Sequence, residues 1–157
     1  MNMTREERLN FWDRYFRGAY VKQLDICGAV MERDAQENTN TSWEVDHIFP
    51  EAKLLIIGVA QDKIDDDINL QPLNAANNLS KGKNYPIFKY YVTSNGATNR
   101  NIGECVLALN HNKVNELNAF YKDEIASFIR KCSLKETLTE DEEEVMESLK
   151  VAGWDIA

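Results

Sequence analysis

The chain has 157 residues, of which 43% are apolar, and it carries a formal net charge of −8 at pH 7. This length suits one globular domain with a modest core, so we expect a single domain over residues 1–157. Because no apolar run approaches the length of a membrane span and the charged start MNMTREERLNF is unlike a signal peptide, we expect a cytoplasmic protein with no membrane partner.

The charge is distributed unevenly along the chain. The net charge is −3 over residues 1–50, +1 over residues 51–100 and −6 over residues 101–157. A nucleic-acid partner normally requires a basic face, and the middle third comes closest to providing one. The cysteines are odd in number and far apart, which predicts core or boundary thiols rather than a disulfide framework or a zinc knuckle: Cys27, Cys105 and Cys132.

The first third of the chain predicts a helix, a loop and a strand. Thr4 and Glu7 match a capping box, and apolar residues at helical spacing follow, so we expect a helix over about residues 5–17. The polar run over residues 34–42 lacks an apolar period and predicts a loop. The segment WEVDHIF, residues 43–49, then predicts a strand.

The middle of the chain predicts a second strand that runs into a short helix. EAKLLIIGV, residues 51–59, fits either helix or strand, and QDKIDDD, residues 61–67, predicts an exposed turn. A strand over INLQPL, residues 68–73, is followed by helical spacing that begins at Asn74. We expect this helix to have a polar working face and an apolar backing: Asn74, Asn78 and Lys81 against Ala75, Ala76 and Leu79.

The last third predicts two helices. Apolar residues at helical spacing indicate a long amphipathic helix over about residues 112–132. Thr139 and Glu142 match a second capping box, which predicts an acidic helix over about residues 140–152.

Three short phrases in the middle of the chain carry the polar groups that chemistry requires. They are VDHIFP from Val45, INLQPL from Ile68 and NNLSKGK from Asn77. Together they supply a carboxylate, an imidazole and two carboxamides. Such a set can hold one hard metal ion beside one general base, which is what hydrolysis of a phosphodiester needs.

The order of these phrases resembles the HNH endonuclease family over roughly residues 43–86. The resemblance implies a β-β-α metal finger, formed by a strand that ends in Asp-His, a second strand with Asn-Leu, and a helix with Asn-x-x-Lys. The expected fold class is therefore α+β, with an HNH-type ββα-metal finger core embedded in flanking α-helices. Because neighbouring strand residues point to opposite faces, the first strand must end or bulge near Asp46 and His47.

The resemblance also implies a role for each motif residue. Asp46 and Asn78 would bind a divalent ion, Mg²⁺, Mn²⁺ or another, and His47 would be the general base. Asn69 would brace the loop that orients the base. The two lysines of the last phrase would bind a flanking phosphate: Lys81 and Lys83.

Zinc-bearing relatives carry a Cys-x-x-Cys pair at the positions of two asparagines in this chain, Asn74 and Asn77. We therefore expect no structural zinc here. The expected replacement is apolar packing by Trp43, Phe88 and the helices, with Asn74 acting as a helix cap.

These motifs predict a metal-dependent DNA endonuclease acting on double-stranded DNA, with added affinity from a partner subunit or a homodimer. One alternative is a catalytically idle HNH-fold subunit that binds DNA or assembles within a phage or defence complex. A second is an interaction protein in which the Asp-His-Asn set is coincidental. A further hypothesis is that the acidic helix after Thr139 folds over Lys81 and Lys83 and competes with DNA. His111 is interpreted as a loop residue, and Asp65 to Asp67 as a solvated turn rather than a calcium loop.

Overall fold

The computed structural model describes residues 2–18, 20–89, 91–94, 99–101, 106–108 and 111–156. Cys105 lies outside these residues. Among them, no helix has the length and apolar character needed to cross a membrane.

The secondary structure is mixed α+β. The helices are α1 Arg5–Tyr15, α2 Glu51–Ile57, α3 Gln61–Ile64, α4 Ala75–Lys81, α5 His111–Phe120, α6 Lys122–Ser133 and α7 Glu140–Val151. The strands are β1 Lys22–Leu24, β2 Val30–Glu32, β3 Trp43–His47, β4 Leu70–Asn74, β5 Ile87–Lys89, β6 Val92–Ser94, β7 Asn99–Asn101 and β8 Val106–Ala108. Within the described part of the chain they pair as two-stranded sheets: β1 with β2, β3 with β4, β5 with β8, and β6 with β7.

Local capping signals place the ends of the first and last helices. Thr4 and Glu7 form a capping box at α1, and Thr139 and Glu142 form another at α7, so both predicted boxes are confirmed. Helix α1 ends at Tyr15, two residues before the predicted end. The predicted helix over residues 112–132 is two helices instead, because the chain breaks at Tyr121, whose buried hydroxyl donates to the Lys63 carbonyl at 2.7 Å.

Two segments between β3 and β4 were uncertain or mispredicted from the sequence. The ambiguous segment after Pro50 is helix α2, which ends at Gly58 with a φ of +101°, a backbone conformation that favours glycine. The predicted exposed turn over residues 61–67 is wrong for residues 61–64, which form the one-turn helix α3, whereas residues 65 and 66 form a turn and a bend. Ile64 is fully buried and anchors this turn in an apolar core, which the polar residues around it conceal in the sequence.

The chain divides into two compact units, where the sequence predicts one domain. The first comprises Met1–Asp46, Leu70–Gly82 and Phe88–Leu107, and the second comprises His47–Asn69, Lys83–Ile87 and Ala108–Ala157. The boundary falls between Asp46 and His47.

The described residues of the first unit form two small apolar clusters. The larger joins α1 to β2, β3 and β4 through Phe11, Trp12, Met31, Trp43 and Leu70. The rings of Trp12 and Trp43 lie 4.9 Å apart, and the guanidinium of Arg8 lies 4.8 Å from the Trp43 ring centroid. The smaller cluster contains Cys27, Leu73 and Phe88.

A buried polar network around Asp25 holds the start of α4 in the first unit. One Asp25 oxygen accepts from the backbone amides of Cys27 and Ala29, and the other accepts from the Asn74 amide and from Nδ2 of Asn77. Burial raises the pKa of the Asp25 carboxyl, while these hydrogen bonds act in the opposite direction. Asn74 also caps α4, as predicted, by accepting from the Ala76 amide. Apolar packing is thus only part of what holds α4 in place. Asn74 and Asn77, where zinc-bearing relatives carry cysteines, form hydrogen bonds with Asp25.

The second unit packs α2, α3, α5, α6 and α7 around one apolar core. Its centre contains side chains that are fully buried: Phe49, Leu54, Ile64, Leu117, Tyr121, Ile125, Val145 and Leu149. Tyr85 stacks on Phe49 with ring centroids 4.3 Å apart. This core fixes the segment that follows His47 and the segment that precedes Asn69.

Candidate functional site

Asp46 lies at the end of β3 in the first unit and is paired with Lys81. Its side chain is 6% exposed, and Oδ1 lies 3.3 Å from Nζ of Lys81, which is fully buried. Nε2 of Gln71 donates to Oδ2 at 2.9 Å. Burial lowers the pKa of the Lys81 ammonium, and Asp46 opposes that shift. Lys81 is therefore the counter-ion of Asp46 in this structure, and its full burial disfavours the predicted contact with a flanking phosphate.

Helix α4 buries the face that was predicted to be its working face. Asn77 and Lys81 are fully buried, whereas Leu79 is 85% exposed. Asn78 is half-buried and lies one turn before Lys81 on the helix. The predicted apolar backing is wrong because the polar side chains of α4 have buried partners, Asp25 and Asp46. Helical periodicity cannot predict these partners, because they lie in distant parts of the sequence.

His47 lies in the second unit between two carboxylates. Nε2 lies 2.8 Å from Oδ1 of Asp65, and Nδ1 lies 3.8 Å from Oε2 of Glu51. The His47 side chain is 10% exposed, while Glu51 and Asp65 are 41% and 37% exposed. Nε2 of Gln61 donates to the other Asp65 oxygen at 3.1 Å. The imidazole is thus held among acceptors and remains close to solvent.

The Asp65 carboxylate determines where the neutral His47 ring carries its proton. Burial raises the pKa of Asp65, but hydrogen bonds from His47 and Gln61 outweigh it, and the net pKa is lowered. An ionised carboxylate only accepts hydrogen bonds, so Nε2 must be the donor. In the neutral ring the lone pair is then on Nδ1, which is the nitrogen that can take a proton.

Asn69 braces the two segments that carry these side chains. It is fully buried, and its Oδ1 accepts from the Phe49 amide at 2.8 Å. Its Nδ2 donates to the carbonyls of Phe49 and Ile64, each at 3.1 Å. Because Phe49 follows His47 by two residues and Ile64 precedes Asp65, one amide side chain ties both segments together.

Lys83 is a surface residue of the second unit. Its side chain is 64% exposed, and Nζ lies 3.6 Å from Oε2 of Glu144 on α7. Both residues line an open cavity of about 370 Å³, together with Lys53 and Ser148. The contact of α7 with Lys83 agrees with part of the hypothesis about the acidic helix. Lys81, the other lysine of that hypothesis, is buried in the first unit.

The structure thus groups the predicted site residues differently from the sequence-based prediction. It brings Asp46 together with Lys81 in one unit, and it brings His47 together with Glu51 and Asp65 in the other. Among the residues that the structure describes, these last three are the group with metal-ligating geometry, and one ligand atom of each lies within 4.8 Å of the others. Sequence reasoning missed Glu51 and Asp65. The i, i+4 spacing of His47 and Glu51 was the one available signal, and Asp65 joins them only through the fold.

His111 is exposed and begins α5, where the sequence predicted a loop. No family model, curated protein or solved structure matches this chain.

Proposed function

We propose that this protein is a metal-dependent endonuclease that hydrolyses DNA phosphodiester bonds, built on an HNH-type ββα core. The observation that supports the proposal is the arrangement of three elements, β3, β4 and α4, which follow in this chain order with α2 and α3 between the two strands. Strand β3 ends in Asp46 and His47, it pairs with β4, and β4 continues directly into α4, which carries Asn78. This is the strand, strand, helix order that the motif resemblance implies.

His47 acts as the general base. It would act through Nδ1, because an ionised Asp65 accepts the hydrogen bond of Nε2. Nδ1 takes the proton as the water attacks phosphorus in line, the bond to the 3′ oxygen breaks, and a 5′-phosphate remains on the other fragment. General-base catalysis contributes about a hundredfold or more to such a step.

Asp46 and Asn78 supply the metal ligands in this proposal. A carboxylate oxygen and a carboxamide oxygen suit Mg²⁺ or Mn²⁺, and the substrate phosphate and water complete the coordination. An ion held by Asp46 and Asn78 would supply Lewis-acid chemistry at the scissile phosphate. Asp46 is ion-paired with Lys81, so an ion that binds it competes with this ammonium. Lys83 on the surface is the remaining candidate for a phosphate contact.

Plasmid cleavage tests the proposal with a matched control for each substitution. We expect cleavage with Mg²⁺ or Mn²⁺, none with chelator, and a loss of at least about a hundredfold in His47→Ala. The chain has two histidines, so His111→Ala is the control for His47→Ala. Exposed Asn115 in α5 gives the control for Asn78→Ala. The proposed endonuclease activity would be refuted by no cleavage with any divalent ion, and the role of His47 by equal cleavage in His47→Ala and His111→Ala.

A second candidate is a DNA-binding or assembly subunit without turnover. The buried pair of Asp46 and Lys81 favours it, because the lysine takes the place of a cation at the predicted metal ligand. Gel-shift binding of double-stranded DNA without cleavage in any divalent ion would support this candidate over the nuclease.

A further inference from the structure

The cluster of His47, Glu51 and Asp65 has ligand geometry of its own. One ligand atom from each side chain lies within 4.8 Å of the other two. Zinc-like ions bind nitrogen and oxygen at about 2.0–2.2 Å, so ligand atoms around such an ion are roughly 3–4 Å apart. Nε2 of His47 and Oδ1 of Asp65 are already 2.8 Å apart. Glu51 is 41% exposed, so its side chain can rotate toward them without leaving a packed position.

The donor types of this cluster select a class of ion. Carboxylates alone suit Mg²⁺ and Ca²⁺, whereas an imidazole favours first-row transition ions such as Zn²⁺. The two carboxylate side chains also suit the charge of a divalent cation. The set therefore differs from the oxygen-only pair of Asp46 and Asn78.

The surroundings of the cluster restrain its ligands. Gln61 donates to Oδ2 of Asp65 and leaves Oδ1 directed at His47. Asn69 joins the backbone beside His47 to the backbone beside Asp65. Outer hydrogen bonds of this kind orient metal ligands and commonly change metal affinity by about 10–100-fold.

We propose that His47, Glu51 and Asp65 bind one divalent first-row transition ion, with Zn²⁺ as the expected occupant. The ion binds Nε2 of His47 in place of the proton that Nε2 donates to Asp65, this proton moves to Nδ1, and the imidazole, Glu51 and Asp65 each provide one ligand atom. If the proposed nuclease function holds, this binding inhibits cleavage, because an imidazole bound to the ion is no longer a base for water.

Calorimetric titration of the reduced 157-residue chain with Zn²⁺ tests the site independently of cleavage. We expect one ion per chain, and a loss of affinity of at least about tenfold in Asp65→Asn and in Glu51→Gln. Asp62→Asn is the matched control, because Asp62 is an exposed carboxylate on α3, the short helix that ends immediately before Asp65. Asn78→Ala should bind Zn²⁺ like the unmodified protein.

A second measurement excludes the thiols as the Zn²⁺ ligands. Cys27 and Cys132 are buried, and burial raises the pKa of both, which disfavours the thiolates that bind metal. Co²⁺ in place of Zn²⁺ should therefore show no near-ultraviolet thiolate-to-metal band. Such a band, absence of Zn²⁺ binding, or equal affinity in Asp62→Asn, Asp65→Asn and Glu51→Gln would overturn the site. Absence of Mg²⁺-dependent cleavage would refute the nuclease and leave the Zn²⁺ result unaffected.

Discussion

Replacement of Asn69 by alanine should destabilise the protein strongly, although the change removes only a few atoms. The Phe49 amide would lose its acceptor, and an orphaned buried donor costs about 1–3 kcal/mol. The carbonyls of Phe49 and Ile64 would lose a donor, and about 0.5–1 kcal/mol each is reasonable because a carbonyl accepts more than one bond. The expected loss in the free energy of unfolding is therefore about 2–5 kcal/mol. That is a large part of the roughly 5–15 kcal/mol that stabilises a typical domain.

Urea denaturation followed by circular dichroism measures this loss. Asn115→Ala is the control, because it is the same substitution at an exposed helical position, where alanine is slightly favourable. Asn69→Asp keeps the acceptor for the Phe49 amide but directs a buried carboxylate at two carbonyls, so it should be at least as damaging as Asn69→Ala. If Asn69→Ala lies within about 0.5 kcal/mol of Asn115→Ala, the bracing role of Asn69 is refuted.

Three further predictions concern charged pairs. Lys81→Met should cost about 3–5 kcal/mol in urea unfolding because it leaves Asp46 buried without its counter-ion, and addition of Asp46→Asn should restore part of that loss. Glu144→Gln should raise affinity for double-stranded DNA in gel shifts by less than about fivefold, because its exposed pair with Lys83 is worth about 0–1 kcal/mol; a larger gain would mean that α7 blocks DNA by more than this contact. The folded pKa of Asp65 lies below its ordinary value of 3.8, so its contribution to stability is complete above that pH and is lost as the pH falls through the folded pKa; a stability difference between the unmodified protein and Asp65→Asn that does not shrink in acid would contradict this assignment.

The sequence predicted the elements whose signals are local. The capping boxes at Thr4 and Thr139 were found because both partners lie within one helical turn. The strands β3 and β4 and the cap at Asn74 were found for the same reason, since alternation, apolar runs and helix-start chemistry are properties of a few neighbouring residues. The family resemblance implies a strand, strand, helix order, and β3, β4 and α4 follow in that order along the chain, while membership of the family stays a prediction.

The errors arose where a distant partner decides the outcome. Ile64 makes a helical turn out of an acidic segment because a core lies beneath it. Leu79 is exposed and Lys81 is buried because Asp46 occupies the interior beside α4, and a charge in that position requires an opposite charge. Asp65 lies beside His47 in a fold where Asn69 hydrogen-bonds the segments that carry them. Each of these three features depends on contacts between side chains that are far apart in sequence, so the periodicity of a short segment cannot predict it.

The buried pair of Asp46 and Lys81 also bears on why the chain contains these residues. Replacing a buried ion pair by apolar residues of similar volume often leaves a protein equally or more stable, because the desolvation of two charges offsets their attraction. Stability alone therefore does not require an aspartate and a lysine at positions that are 6% and 0% exposed. The pair is explained if Asp46 binds a metal cation, because Lys81 then balances the charge of Asp46 whenever the cation is absent. Divalent ions should then raise the melting temperature of Lys81→Met more than that of the unmodified protein, because the ion no longer competes with the ammonium. Equal shifts in the two proteins would mean that Asp46 is not a metal ligand.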